Sequence, residues 1–369
     1  MLRTALFLCF FSVISLCLPS TAIWGQMPED VAGDTVVEAT AMEEAAAEEQ
    51  DLSGLHENLI KTKDGLERLY YVYVPESATG ENGATYPAVL MLHGGGGNAL
   101  QIRDHVQIEE LAEREGFLVF YPEGTAKKVL RKKLATWNGG FCCGAAAEEN
   151  IDDAGFIAEM LEEAAQNYPL DPARIYATGI SNGGLMANVL ACKLADKIAA
   201  ISSVGGPGMP PECKPSRPVP VMIIHGTADK CALYEGGEAC GGCWEDAIAG
   251  ATKLTPKKKP FPCMGVAQQD MFWREVNGCS AEAAVTFKNG DTLCRRSSDC
   301  TGGSAVAVCT IYEGGHTWPG SPEKDCLPVQ KFCQAHRAIV GKTSRDFDAN
   351  EMMWRFFKSY SLGNSAAPE

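Results

Sequence analysis

Gly179-Ile180-Ser181-Asn182-Gly183 sets a serine between two glycines, just after the apolar run Ile175–Thr178 and just before a helical pattern from Asn182 to about Leu194. A strand that turns sharply into a helix lifts such a hydroxyl above the sheet edge, and the glycines keep neighbouring backbone from clashing at the turn. The helix N-terminus favours negative charge developing there. This is the setting of a nucleophile, and a serine hydroxyl needs a base to become one at neutral pH.

In a strand–turn–helix serine site the acid and then the histidine follow the nucleophile along the chain. Of the six histidines (56, 93, 105, 225, 316 and 336), only His316 and His336 lie far enough downstream. His316 stands in Gly314-Gly315-His316-Thr317-Trp318-Pro319-Gly320, right after the strand-like Val306–Tyr312. His336 lies among cysteines in a segment that breaks the strand–helix rhythm, so His316 is the expected base. The acid holds the imidazole tautomer and stabilises the imidazolium. Asp229, in His225-Gly226-Thr227-Ala228-Asp229, follows the strand Val219–His225 and suits that role better than Asp246 or Asp270. His225 reads as the end of its strand.

A tetrahedral intermediate needs backbone donors for its oxyanion. The amide of Asn182 is one; Gly94 and Gly95, in the run His93 to Gly97, are expected to supply the other. Loss of one such donor costs ~3 kcal/mol in the barrier. Trp137 and Trp318 are expected as walls of an acyl or aromatic pocket, with core packing as the other reading.

Strands at Leu69–Val74, Ala88–Leu92, Phe117–Tyr121, Ile175–Thr178, Ala199–Val204, Val219–His225 and Val306–Tyr312 alternate with helical patterns at 104–115, after Asn150, from Asn182, and at Ala349–Tyr360. Ala154, Ile157, Leu161 and Ala164 fall on one helical face, with Asn150 as the expected cap. Such alternation predicts an α/β fold with a mostly parallel sheet covered by helices on both faces. Two cysteine-bearing stretches, 230–265 and 321–345, interrupt it and read as stapled insertions.

The chain has 369 residues and a formal net charge of −15, which argues against a phosphate-backbone binder. Residues 1–22 carry Arg3, an apolar stretch from Ala5 to Leu18 and then Ser20-Thr21-Ala22, the pattern of a secretory signal peptide. The stretch is short for a membrane anchor. Cys9 and Cys17 each follow a leucine, which argues against lipid attachment. Residues 23–53 form an acidic linker: nine acidic side chains stand within 27–53 without a Lys, Arg or aromatic residue, too little apolar surface to order itself. Residues 54–369 are then the catalytic domain. Fourteen of the sixteen cysteines lie beyond the signal, an even number that favours disulfides in an oxidising compartment. Cys240-Gly-Gly-Cys243 lacks the second half that a zinc site needs, and Cys142-Cys143 reads either as a vicinal bridge or as two outward pairs.

Beyond the serine turn, the chain resembles the secreted esterases known as polyhydroxybutyrate depolymerase-like, relatives of the feruloyl and acetylxylan esterases of carbohydrate esterase family one. The resemblance runs from about 65 to 360. It rests on His93-Gly94, Trp137-Asn138 with Cys142-Cys143, Asn150 to Asp153, Arg174 to Gly184, Leu190-Ala191-Cys192, His225 to Asp229, Trp273 with Asn277-Gly278-Cys279, Gly314 to Gly320, and Trp354 to Phe357. It implies an α/β-hydrolase fold with Ser181, Asp229 and His316 as a catalytic triad. The two insertions and the acidic linker depart from the family pattern, and the insertions, following Asp229 and His316, are expected to overhang the active-site mouth.

The expected function is a serine carboxylesterase, secreted or periplasmic, working through an acyl-enzyme without cofactor or metal. Its partner is an ester derived from polysaccharide or polyester: plant cell-wall phenolics of the feruloyl or acetyl-xylan type, or short polyhydroxyalkanoate oligomers. A peptidase or acyltransferase on the same fold, and a catalytically silent carbohydrate- or surface-binding protein, are the alternatives. Neither nucleic acid nor stable membrane insertion is expected, and reduction of the disulfides is expected to loosen the insertions before it reaches the triad.

Overall fold

Strands buried on both faces read as short apolar runs, and these runs build the centre of the molecule. A computed structural model describes residues 52–363 apart from 81–82, 127–133, 253, 256, 258–259, 281 and 323–330. The expected signal peptide, nearly all of the acidic linker and Cys326 therefore lie outside the described residues.

Seven strands lead the sheet in chain order: β1 (Gly54–Lys61), β2 (Glu67–Val74), β3 (Tyr86–Leu92), β4 (Leu118–Pro122), β5 (Leu170–Ile180), β6 (Ala200–Val204) and β7 (Val221–Gly226). A small separate hairpin, β8 (Gly236–Cys240) with β9 (Phe261–Met264), precedes β10 (Ala284–Asn289), β11 (Thr292–Ser297) and β12 (Val306–Ile311). The main sheet runs β1-β2-β4-β3-β5-β6-β7-β12-β11-β10, parallel from β4 to β12 and antiparallel at both ends. This is the α/β-hydrolase fold.

Helices α1 (Ala99–Val106), α2 (Glu109–Glu115), α3 (Gly144–Glu148), α4 (Asp153–Asn167) and α5 (Asn182–Lys193) come from the first half. From the second come α6 (Cys243–Ala251), α7 (Val266–Val276), α8 (Lys331–Val340) and α9 (Ala349–Phe357). Successive strand residues point to opposite faces. Ala88, Leu90 and Leu92 of β3 thus join the core beneath α4, α5 and α7, whereas Val89 and Met91 join the core beneath α1, α2 and α9.

The central strands fall where the apolar runs predict them, and Ala154, Ile157, Leu161 and Ala164 of α4 are buried as expected. The predicted helix 104–115 is two helices, because Gln107 turns left-handed at φ 50°. Asp152, not Asn150, caps α4, accepting the amide of Gly155 at 3.0 Å; Asn150 instead sits at φ 48° in the preceding turn. The antiparallel β1, β10 and β11 were not expected, since β1 and β11 are only partly buried and β10 is almost wholly exposed, so none carries a continuous apolar run.

Twelve of the described cysteines pair as 142–143, 192–213, 231–243, 240–263, 279–300 and 294–309. The cysteines of Cys240-Gly-Gly-Cys243 thus part to different partners. The 230–265 stretch contains β8, α6 and β9, and its α6 packs against α8 of the 321–345 stretch. Among the described residues no helix is long and apolar enough to cross a membrane.

Candidate active site

The turn from β5 into α5 is tight for a steric reason. Ser181 stands at φ 59° and ψ −121°, a backbone conformation that non-glycine residues seldom adopt. A Cβ on Gly179 would lie 2.5 Å from the carbonyl oxygen of Leu92, and one on Gly183 only 2.2 Å from it. Both flanking glycines are therefore obligatory, as the pentapeptide implied. The amide of Ser181 donates to Val204 at 2.8 Å, which pins the turn to the end of β6.

Asn182 opens α5, where first-turn amides have no intrahelical acceptor. Its side chain is locked: Oδ1 accepts the Trp137 amide at 2.7 Å and Nδ2 donates to the Trp137 carbonyl at 2.9 Å. The His93–Gly97 run packs on this corner. A Cβ on Gly94 would meet that of Ser181 at 3.6 Å, and one on Gly95 that of Asn182 at 3.5 Å. The amides of Gly96 and Gly97 donate elsewhere, to Ala135 and Gly94.

His93 holds this run in place, a role its sequence position did not reveal. Its Nε2 accepts the Gly124 amide at 3.0 Å, so Nδ1 carries the proton and donates to the Gly94 carbonyl at 2.9 Å. Burial pushes the imidazole down to about 4, so it stays neutral at physiological pH.

Neither tryptophan lines a pocket. Trp137 is fully buried, with Nε1 donating to the His93 carbonyl at 2.9 Å. Trp318 is fully buried in the core under α9, with Nε1 donating to Asn350 Oδ1 at 3.0 Å. Core packing replaces the expected substrate walls, because an indole needs a partner for its N–H when buried and both have found one inside.

Asp229 and His316 meet although 87 residues separate them. Their strands are neighbours, β7 pairing in parallel with β12. Loop contacts then stitch the two ends: Thr227 donates to Ile311, Ala228 to Gly314, and Glu313 to Thr227 Oγ1. His316 Nδ1 lies 2.6 Å from Asp229 Oδ2. The other carboxylate oxygen accepts the amides of Cys231 and Ala232, each at 2.8 Å. Burial opposes charge on Asp229, but the nearby His316 and hydrogen bonds from His225 and His316 outweigh it and hold the carboxyl far below its usual range.

Gly205 connects this pair to the serine. The carbonyl of Val204 accepts the Ser181 amide, and the next residue, Gly205, lies directly under the imidazole of His316. Ser181 and His316 thus attach to consecutive residues at one strand end. The Gly-Gly pair closing the apolar run Ala199–Val204 is the sequence signal of this contact.

The competing residues are accounted for otherwise. Asp246 lies on α6, and Asp270 on α7 pairs with Arg274 at 3.3 Å. His336 lies on α8, where burial and the charge of His316 hold its imidazole below the ordinary value. Asp229, Cys231 and His316 bring one donor atom each within 4.8 Å, but the Cys231 sulfur is bonded to Cys243. Two donors already hydrogen-bonded to each other do not make a metal site.

Residues 68–234 match the family model described as esterase PHB depolymerase. Over those residues, a little under half of its length, the chain is similar to that family. The matched part takes in Ser181 and Asp229 and ends before His316. Feruloyl esterase B of Piromyces equi is 31% identical over 259 residues, covering 68% of this chain and 42% of that protein. A putative esterase, NocK, of Nocardia uniformis subsp. tsuyamanensis is 29% identical over 277 residues, 70% of each chain. The chain therefore spans less than half the length of the Piromyces protein. An acetyl xylan esterase from Aspergillus awamori superposes with a TM-score of 0.48 at 14% identity, covering 71% of this chain and 94% of that one.

Proposed function

We propose that the chain is a serine carboxylesterase with Ser181 as nucleophile, His316 as base and Asp229 as the residue that orients the base. The observation that carries this reading is the Asp229–His316 contact of 2.6 Å beside the strand end that holds the strained turn of Ser181. With Nδ1 donating to Asp229, Nε2 of His316 is left to accept the Ser181 proton. The hydroxyl oxygen attacks the ester carbonyl, and the oxyanion settles between the amide of Asn182 and those of Gly94 and Gly95. His316 then protonates the departing alcohol. Water, activated by the same imidazole, releases the acid from the acyl-enzyme and restores Ser181.

The substrate class follows the names of the relatives. Feruloyl and acetylxylan esterases among them favour esters on plant cell-wall polysaccharide, with short polyhydroxyalkanoate oligomers as the second class. Six disulfides among the described residues suit export to an oxidising compartment, and we assign residues 1–22 as its signal, 23–53 as linker and 54–369 as the catalytic domain.

The test is a panel of methyl ferulate, acetylated xylan, hydroxybutyrate oligomers, nitrophenyl acetate and a peptide amide, offered to the protein and to Ser181→Ala. Ester turnover that the substitution abolishes supports the reading, and the preferred acyl group names the subclass. Cleavage of the amide alone, or no turnover by folded protein, overturns it.

A further inference from the structure

Asp229 lies between two imidazoles, and only one of them has a part in the reaction described above. Its Oδ2, 2.6 Å from His316 Nδ1, is also 3.3 Å from Nε2 of His225. Its Oδ1 accepts the amides of Cys231 and Ala232. A carboxylate offers about four lone-pair directions; three take these hydrogen bonds, from His316, Cys231 and Ala232, and His225 Nε2 stands beside the remaining one.

The tautomer of His225 follows from its other contact. Nε2 lies 2.7 Å from the carbonyl oxygen of Ala232, which can only accept, so Nε2 carries a proton. That single N–H is hydrogen-bonded to Ala232, and Asp229 Oδ2 lies 3.3 Å from the same nitrogen. Nδ1 is buried with no hydrogen-bond partner among the described residues, so the ring acts on the site through Nε2 alone. The ring has little freedom to leave: His225 is 3% exposed, penultimate in β7, and meets the edge of Tyr234 at a centroid distance of 5.8 Å. The Tyr234 hydroxyl is itself fixed 2.8 Å from Thr310 Oγ1, and Thr310 is the β12 residue opposite His225.

We infer that His225 is a positioning residue: its Nε2–H completes the donor shell of Asp229 and sets how hard that carboxylate holds His316. The inference rests on the reading of Ser181, Asp229 and His316 as the triad. A hydrogen bond into a carboxylate draws off part of its charge. Without the His225 donor, Asp229 pulls harder on a protonated His316, and the neutral base becomes scarce until a higher pH. The carboxylate also gains freedom to rotate away. The other groups facing this pair are His336 on α8 and the Cys231 sulfur, which its disulfide keeps from titrating.

The experiment compares His225→Leu with His225→Gln, whose side-chain amide nitrogen reaches about as far as Nε2. The readouts are kcat/KM for nitrophenyl acetate against pH, thermal melting, and labelling of Ser181 by a fluorophosphonate. The same pair made in a His336→Gln background removes the one other imidazole facing His316. His225→Leu is expected to lower kcat about tenfold to a hundredfold, the worth of one hydrogen bond to a charged group. Its acid limb is expected to move up by about half a pH unit or more, with or without His336. His225→Gln is expected to restore most of both.

An unmoved acid limb in His225→Leu, with activity falling only as far as melting does, overturns the inference and leaves the ring a core residue. Equal impairment in Leu and Gln variants overturns it as well. Wild-type protein that neither hydrolyses esters nor labels at Ser181 takes down the triad reading and the inference with it. That result is distinct from the other two, in which wild type is active.

Discussion

A Cβ on Gly205 would stand 3.1 Å from Nδ1 of His316 and 3.4 Å from Oδ2 of Asp229, and Gly205 holds φ +55°. The strand end that anchors the serine turn is bare where the imidazole must lie. Gly205→Ala is therefore expected to act twice, straining the backbone by about 1 kcal/mol and displacing the ring. A displacement of a few tenths of an ångström to an ångström costs up to about a hundredfold in rate. Steady-state kinetics alongside melting curves check this: kcat falls far more than stability accounts for. A variant with normal kcat would mean that His316 does not work from this position.

Asp229→Asn keeps the size of the side chain but removes the charge and the preference for one imidazole tautomer. Its kcat is expected to fall by roughly a thousandfold or more, as in other serine triads. Stability supplies a second readout. The carboxyl is held below its unfolded value, so its contribution is complete above about pH 4, the ordinary carboxylate value, and fades as pH drops toward the depressed one. Melting of wild type and variant, followed from pH 6 to 2, is expected to show a gap that is constant above pH 4 and narrows below it. A gap independent of pH would contradict the ionised assignment.

His93 loses its contribution in the same direction, on acidification, but in a higher pH window. It is buried and neutral, with its value pushed down to about 4, while the unfolded chain takes up that proton near 6.5. Its stabilising effect is complete above 6.5 and is lost progressively as pH falls toward 4. Across that window the loss is roughly 3 kcal/mol. His93→Gln is expected to flatten this part of the melting profile and to lower kcat by loosening Gly94. An unchanged slope in the variant would show that His93 is protonated in the folded protein.

The Cys231–Cys243 bridge begins two residues after Asp229, and the amide of Cys231 is one of that carboxylate's donors. Its α6 packs on α8, and the His316 amide donates to the carbonyl of Val340, the last residue of α8. We therefore expect loosening of the insertions to disturb Asp229 and His316 as well, rather than to precede their disturbance. Replacing Cys231 and Cys243 by alanine is expected to lower kcat about tenfold or more, since acid and base lose their shared brace. Replacing Cys294 and Cys309, which join β11 to β12 outside the site, is expected to cost ~2–4 kcal/mol of stability and leave kcat alone. Equal kinetic effects from both pairs would refute the brace.

The serine turn was readable because its demands are local. Gly179 and Gly183 have no room for a side chain, and their spacing around Ser181 announces that wherever it occurs. The central strands were readable for a related reason: a strand covered on both faces needs an unbroken apolar run. Edge strands such as β1, half wet and alternating, carry no such mark. Trp137 and Trp318 show the limit in the other direction, since a large aromatic reads alike whether it lines a pocket or fills a core.

The order of serine, acid and histidine along the chain, and the apolar runs that carry them, were determined by the sequence alone, because turn chemistry and burial patterns act over a few neighbouring residues. Only the tertiary structure decided which imidazoles reach Asp229, that Gly205 makes room for one of them, and that a disulfide and two packed helices brace them. Those relationships depend on strand order and on angles between distant loops. The physical reason is that a contact between residues 229 and 316 is settled by the pairing of β7 with β12, which no stretch of local sequence encodes.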